Sequence, residues 1–522
     1  MPKKFYLYTW SQVDLNICKK TTCNYRVTAM KVLLINPPQT FYPGSDQPSG
    51  NLPLGLMYIA AVLEHAGYKT EILDAFMTDE AFQKKGETIT VGMSNPQIKQ
   101  QIISRKPDIV GIAGPFTCQI EHALAISGLA KEVDPSILTV VGGPHVTVVP
   151  KGFLDEAKNV DIAVTGEGEY AMQDIAQYFE GKKQLEKILG VAYRRGGEVI
   201  VNPPRPFMTN LDELPYPAYD HVNMEQYLNP KKIGYRSFQN RAISMITSRG
   251  CPFNCCFCSV HLHMGRGFRA NSASYVLKHV QFVVDKFNVK HIFFEDDNLT
   301  FDLQRFEAIC DGLIERKAKV GWETPNGVRA DCLNMNILQK MKKSGCASVF
   351  FGVESGDQQI LDTVICKSLD LNKVVEVSKN CRKIGLKTGG FYIIGFPGEK
   401  KENMQRTVDF ALGLKRNYDV GMHLFIATPS YGTRLYDECK SKGYIQQDLT
   451  WNSFAEARQP KGLPLISTPD FTSEEVKEIA TRALAEYKKL SLLGHLKNPR
   501  KALKTAFAQP QLIVKYVKNL FK

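Results

Sequence analysis

Short apolar runs alternate with amphipathic stretches along most of the chain, in two successive series. The first predicts strands at Lys31–Asn36, Thr70–Leu73, Asp108–Ala113, Ile137–Val141 and Asp161–Val164. Helical spacing fills the gaps at Leu54–Ala66, Gln97–Arg105, His122–Val133 and Ala171–Phe179. Strands that are apolar throughout, with helices between them, argue for a parallel sheet covered on both faces. The second series predicts strands at Ala242–Thr247, His291–Glu295, Lys319–Trp322, Ser348–Val353, Thr388–Ile394 and Gly421–Ala427. Its helices fall at Ala273–Phe287, Leu303–Arg316, Asn336–Ser344, Leu371–Ile384 and Glu402–Leu414. Six such units make an incomplete, laterally open barrel with its site at the carboxyl ends of the strands. The fold class is therefore α/β: a doubly wound, Rossmann-like sheet, a partial (β/α)6 TIM-type barrel and a helical C-terminal region.

Turn chemistry follows the strands of the first series, at Asn36-Pro37-Pro38, Gly114-Pro115, Gly142-Gly143-Pro144-His145 and Gly166-Glu167-Gly168-Glu169. Open parallel sheets bind ligands at such loops, and glycine lets the backbone approach a bulky ligand closely. Prolines at 203, 204, 206, 215 and 217 mark a connector wrapped along both neighbours. The expected organisation is an extension (1–29), the doubly wound domain (30–180), the connector (181–241), the barrel (242–440) and the helical region (441–522). Phe5–Trp10 is too short an apolar run for a signal peptide. Residues 1–29 read as a mis-assigned start or a tail, and carry no functional expectation.

Composition changes this picture little. The chain of 522 residues is 43% hydrophobic and 23% charged, as in an ordinary soluble protein. Its 13 cysteines lack disulfide-framework spacing, which suits a reducing cytoplasm. The net charge of +13 does not imply nucleic-acid binding, because seven Lys/Arg and no acids lie between Lys497 and Lys522. There Leu512, Ile513, Tyr516, Val517, Leu520 and Phe521 alternate with lysines at helical spacing. Two readings stay open: a basic amphipathic helix touching an anionic membrane surface, or a helix packed on its own domain.

The candidate chemistry lies between Arg249 and Ser259, where cysteines are spaced Cys-x₃-Cys-x₂-Cys at 251, 255 and 258. Three thiolates in one loop can hold three irons of a 4Fe–4S cluster and leave the fourth open for chemistry. Zinc normally wants a second ligand pair at matching spacing, and none follows. Cys256 lies off the spacing and reads as a bystander. Cys118 reads as a small buried hydrophobe.

This spacing, with Phe257 before the last cysteine, resembles the signature of radical S-adenosylmethionine (SAM) enzymes. From Met30 to about Tyr436 the chain is similar to members of that family carrying an N-terminal cobalamin-binding domain. The resemblance implies that the amino acid part of SAM chelates the open iron, and that one electron cleaves SAM to a 5′-deoxyadenosyl radical. It puts Glu354, with Ser355, on the SAM ribose, and Asp296 or Asp297 on its amino group. It also lays the backbone of Ile394 and Gly395 against adenine. The local alternatives are a strand-end ion pair for Glu354 and a helix cap for Asp297. The same resemblance implies cobalamin held by loops including Asn36, Pro37, Thr117, Gly142, Gly143, His145, Gly166, Glu167 and Gly168. The Asp-x-His-x-x-Gly signature is absent, so no histidine below cobalt is expected, and His145 serves loop structure.

The activity so implied is a cobalamin-dependent radical SAM C-methyltransferase acting on a hydrophobic substrate, a tetrapyrrole such as a bacteriochlorophyllide or a hopanoid lipid. A ferredoxin- or flavodoxin-type electron donor is implied with it. The alternatives are an oxidative cyclase of the magnesium-protoporphyrin ester type and, from another class, a non-catalytic cobalamin or redox sensor.

Overall fold

The computed structural model describes residues 30–41, 51–78, 83–85, 88–114, 117–229, 241–445, 449, 453–454 and 464–496. Residues 1–29 and the basic tail from 497, with its expected amphipathic helix and membrane contact, lie outside them. Among the described residues no helix is long and apolar enough to cross a membrane.

The first sheet holds seven strands: β1 (Lys31–Asn36), β2 (Lys69–Asp74), β3 (Ile109–Ala113), β4 (Leu138–Gly142), β5 (Ile162–Val164), β6 (Val191–Arg195) and β7 (Glu198–Val201). Their order is β7-β6-β5-β4-β3-β1-β2, with β1 to β5 mutually parallel, β6 antiparallel to β5 and β7 antiparallel to β6. The order reverses between β1 and β3, so a crevice opens at their carboxyl ends. Helices α1 (Leu54–His65), α2 (Asn95–Arg105), α3 (Ile120–Val133) and α4 (Glu169–Phe179) cover the sheet. Alternation sorts β1 between two cores, with Val32 and Leu34 on one face and Leu33 and Ile35 on the other.

The second sheet is the expected six-stranded parallel array: β8 (Ala242–Met245), β9 (His291–Phe294), β10 (Gly321–Val328), β11 (Cys346–Glu354), β12 (Lys387–Ile394) and β13 (Gly421–Ile426). The strands pair in chain order and β8 does not close on β13, leaving a laterally open barrel. The intervening helices are α5 (Ala273–Phe287), α6 (Leu303–Glu315), α7 (Met335–Lys343), α8 (Leu371–Ile384) and α9 (Lys401–Tyr418). Ser272, Asp302, Asn334 and Asp370 cap the first four by accepting backbone N–H bonds. Asp302, not Asp297, therefore caps the helix that begins at Leu303. After α10 (Arg434–Ser441), helix α11 (Ser473–Leu496) packs on α9 and β13.

Two expectations need correction. The connector does not begin at 181, because the β6–β7 hairpin extends the first sheet to Val201. The predicted strand Lys319–Trp322 is instead Gly321–Val328, whose Pro325 and register shift between Thr324 and Val328 break the apolar pattern. The connector proper runs along both domains and anchors itself with buried side chains such as Leu211, Leu214, Tyr219 and Tyr227. The Tyr219 hydroxyl meets His279 Nε2 at 2.9 Å, and Tyr216 stacks on the same ring at 4.3 Å. One apolar cluster thus runs without a break from β1 and α1 through Tyr219 and Tyr227 into the barrel.

Candidate functional site

The cysteine loop leaves the top of β8 through a two-residue ribbon, Ser248–Arg249 against Arg269–Ala270. The base is tight: a Cβ on Gly250, whose φ is +83°, would stand 2.4 Å from the Gly267 carbonyl. Backbone bonds shape the rest, from Cys251 N–H to Gly265 O (3.4 Å) and from Cys258 N–H to Cys255 O (3.2 Å). Cys256 is buried and pinned by its backbone to Ile365 and Leu435. The Phe257 ring meets Phe396 at 5.9 Å, tying the loop to the end of β12.

Cys251, Cys255 and Cys258 are half-buried free thiols. Burial, with a smaller contribution from the neighbouring Cys255 and Cys251, pushes the Cys258 thiol up to about 12. Burial also raises Cys255, which feels Lys367, Glu354 and Cys251. Three thiolates at such close quarters require a cation, which an iron cluster supplies. Among the described residues no three His, Cys, Asp or Glu side chains converge on one metal ion. Asn298 reaches the Cys251 sulfur at 3.9 Å, and its buried Oδ1 has no partner among the described residues. The donor set fits the cluster.

Around this loop stand the ends of three other barrel strands. Glu354 closes β11 with φ +69°, after a register shift at Gly352. Its Oε1 accepts a 2.6 Å bond from buried Lys367, so the strand-end ion pair is present and lies against Cys255. Ser355 is fully buried, its hydroxyl engaged by Thr407 and the Asp357 N–H. The two acids after β9 part company. Asp296 is interior and clasps the Thr247 N–H and the hydroxyls of Thr247 and Ser248. Asp297 is half-buried, accepts from Gly250 N–H at 3.2 Å and faces the Cys258 thiol; burial lifts it to about 6. Ile394 turns its side chain into the core, leaving only backbone to face a ligand. The amides of Gly395 and Phe396 both donate to Glu399 Oε2, at 2.7 and 2.8 Å.

The loops of the first sheet face this same region. Asn36 binds Asp74 at 2.8 Å, and Pro37 beside it is buried. Gly142 ends β4. Gly143, with φ +136°, leaves no room for a Cβ, which would lie 2.3 Å from Gly114 O. His145 bonds Thr117 through Nδ1 at 3.1 Å and packs edge-on against Phe153 and, from beyond the barrel, Tyr431. Burial lowers it to about 4, so it is neutral at neutral pH, as a structural histidine should be. Gly166 donates its N–H to Thr147. Gly168 packs against Ile59. Glu167 is turned away from the crevice into ion pairs with Arg249 and Arg269 of the barrel. The side chain of Cys118 lies outside the described residues.

The structure thus gathers Cys251, Cys255, Cys258, Asp297, Glu354 and the Ile394–Gly395 backbone at one mouth, opposite the loops of the first sheet. It withdraws Asp296, Ser355 and Glu167 into internal bonds. The chain pattern had not pointed to Lys367, Asn298, Arg249 or Arg269. Only the place of Arg249, two residues before the first cysteine, was a signal.

Two families match successive parts of the chain. Residues 51–176 match the B12 binding domain family and residues 245–411 the radical SAM superfamily. An uncharacterized methyltransferase of Pyrococcus horikoshii is 30% identical over 459 residues, 88% of this chain and 92% of that protein. Cytidylyl-2-hydroxyethylphosphonate methyltransferase of Streptomyces wedmorensis is 30% identical over 508 residues, covering 91% and 92%. Anaerobic magnesium-protoporphyrin IX monomethyl ester cyclase of Rubrivivax gelatinosus is 29% identical over 395 residues, covering 73% and 65%. Among solved structures, the radical SAM methyltransferase TsrM of Kitasatospora setae superposes with a TM-score of 0.63 at 16% identity, covering 80% and 78%.

Proposed function

Because the chain belongs to the cobalamin-binding radical SAM methyltransferase family, we propose that it methylates an unactivated carbon of a substrate with an extended apolar or ring face. Tetrapyrroles and hopanoid lipids are the classes that fit this reading. The family's cofactors are a 4Fe–4S cluster, SAM and cobalamin, which together supply a carbon-centred radical and a methyl group. In this reading Cys251, Cys255 and Cys258 hold the cluster. Asp297, Glu354 and the Ile394–Gly395 backbone hold SAM. Asn36, Pro37, Gly142, Gly143 and Gly166 line the cobalamin crevice. Lys367 holds Glu354 aimed through its 2.6 Å bond, and neutral His145 with Tyr431 helps keep water from the domain junction. Carbon radicals need such exclusion of solvent and oxygen.

One observation carries the substrate class. The inner barrel face below Glu354 is an aromatic platform of Phe350, Phe391, His423 and Phe425. Phe350 and Phe391 stack at 5.5 Å and 13°, His423 stands edge-on to both, and Phe425 is 50% exposed. Val349, Phe351 and Val353 alternate with it and pack under the helices, so the platform faces the open side. Gly389 clears the space beside Phe350, where a Cβ would stand 2.6 Å from the ring. Gly327 does the same at Phe391. Flat apolar faces bind best on such a surface.

The test is anaerobic turnover with SAM, cobalamin, a low-potential reductant and candidate acceptors, read by mass spectrometry. Methyl transfer gives S-adenosylhomocysteine and 5′-deoxyadenosine together, with a product heavier by one methylene. The similarity to the cyclase favours a second reading, in which 5′-deoxyadenosine appears alone. Preference for a polar nucleotide-borne acceptor over tetrapyrroles and lipids would overturn the substrate class.

A further inference from the structure

We propose that Glu167 and Glu169, in the turn between β5 and α4, are positioning residues of the cysteine loop rather than ligands of cobalamin. They are counter-ions, supplied by the first domain, that close the base of the loop and fix it against the cobalamin crevice. The proposal rests on Cys251, Cys255 and Cys258 holding the cluster.

The ribbon at the base pairs Arg249 directly with Arg269. Like charges opposite one another weaken a ladder, so this closure needs an anion. Glu167 provides it: its Oε1 accepts from Arg249 Nη1 at 2.9 Å and from Arg269 Nη1 at 2.6 Å. Its Oε2 accepts from the Met208 N–H at 2.8 Å. The other nitrogen of Arg249 donates to Glu169 Oε1 at 2.6 Å, and its guanidinium lies over the Tyr58 ring at 5.6 Å. Arg269 adds bonds to the Met208 and Met264 carbonyls, with its guanidinium over Phe207. All four charged side chains are at most 10% exposed. Against the upward push of burial, the two arginines hold Glu167 below the usual carboxylate range.

The ion pairs therefore join residues 82 and 102 positions apart, across the domain junction, in a dry setting where charge-assisted bonds are strong. Arg249 is two residues from Cys251, and Gly250 between them has no slack. The clasp thus ties movement of the first domain to the first cysteine. The clasp sets how far the crevice lies from the cluster, and at what angle.

The experiment compares wild type, Glu167→Gln and Glu169→Gln after identical anaerobic reconstitution. It measures iron and sulfide content, the EPR change of the reduced cluster on adding SAM, aquacobalamin affinity by absorbance, and far-UV circular dichroism. We expect Glu167→Gln to lose about half or more of its iron and its SAM response while its aquacobalamin Kd stays within about threefold, since a buried charge loses its partner. Glu169→Gln should show a smaller loss of the same kind, and carries the test if Glu167→Gln fails to fold. A folded variant that keeps wild-type iron and SAM response overturns the proposal. So does one whose aquacobalamin affinity falls about tenfold or more. Wild-type protein that takes up no iron overturns the cluster assignment itself, and this role with it.

Discussion

Cys256 and Cys258 lie two residues apart and differ in their surroundings. Cys256 is locked by backbone bonds into the core, whereas Cys258 shares a half-buried loop with Cys251 and Cys255. That difference was legible in spacing alone. Lys367 was not, because nothing in a single chain indicates that a lysine 13 residues beyond Glu354 folds back onto it. Removing Lys367 leaves a buried carboxylate unpaired, at a cost of about 3–5 kcal/mol. Lys367→Met should therefore lower the unfolding midpoint and weaken SAM binding in calorimetry, while Lys367→Arg restores part of both. A second prediction concerns Glu399, fully buried with one oxygen unpartnered among the described residues. Burial raises it from 4.5 to about 7. Between those values the unfolded chain sheds a proton that the folded chain keeps. This group's contribution therefore falls as pH rises, by at most about 1.4 kcal/mol per pH unit, and is spent above the folded value. Glu399→Gln should remove that component when stability is measured from pH 4.5 to 7.5. A variant with an unchanged pH slope would contradict it.

At the scale of elements, the buried parallel strands could be read because each is apolar throughout, and their βα alternation left one arrangement. The β6–β7 hairpin escaped because its residues alternate weakly and sit next to a proline-rich stretch. Its signal was Gly196-Gly197, both with positive φ, joining two short strands. The far half of β10 escaped because Pro325 and a bulge interrupt its pattern. Turns whose glycines are sterically required are the sharpest test at this scale. Gly143→Ala should destabilise the first domain by about 2 kcal/mol or more, from a Cβ overlapping Gly114 O and a disfavoured φ. Gly152→Ala, where a Cβ meets nothing within 4 Å, should be nearly neutral by the same urea titration.

Across the whole molecule, the sequence announced two domains but not that they share a core. The apolar cluster spans both, reinforced by Tyr219 against His279 and by the Glu167–Arg249–Glu169 clasp. The domains should consequently unfold together, in one calorimetric transition before any cofactor is added. Two separated transitions would show that the junction is looser than its packing indicates. The same junction explains why only part of the candidate site was legible. Residues that face a ligand within one barrel followed motif order, whereas Glu167 found its partners 82 and 102 positions away.

The most direct measurement is iron and acid-labile sulfide in anaerobically reconstituted protein, with EPR of the reduced state before and after SAM. We expect about four irons per chain and a spectrum that shifts when SAM binds the open iron. The variant with Cys251, Cys255 and Cys258 all replaced by alanine should lose both, with the Cys256→Ala variant retaining them. Iron bound equally by the triple variant, or a spectrum that ignores SAM, would contradict the account.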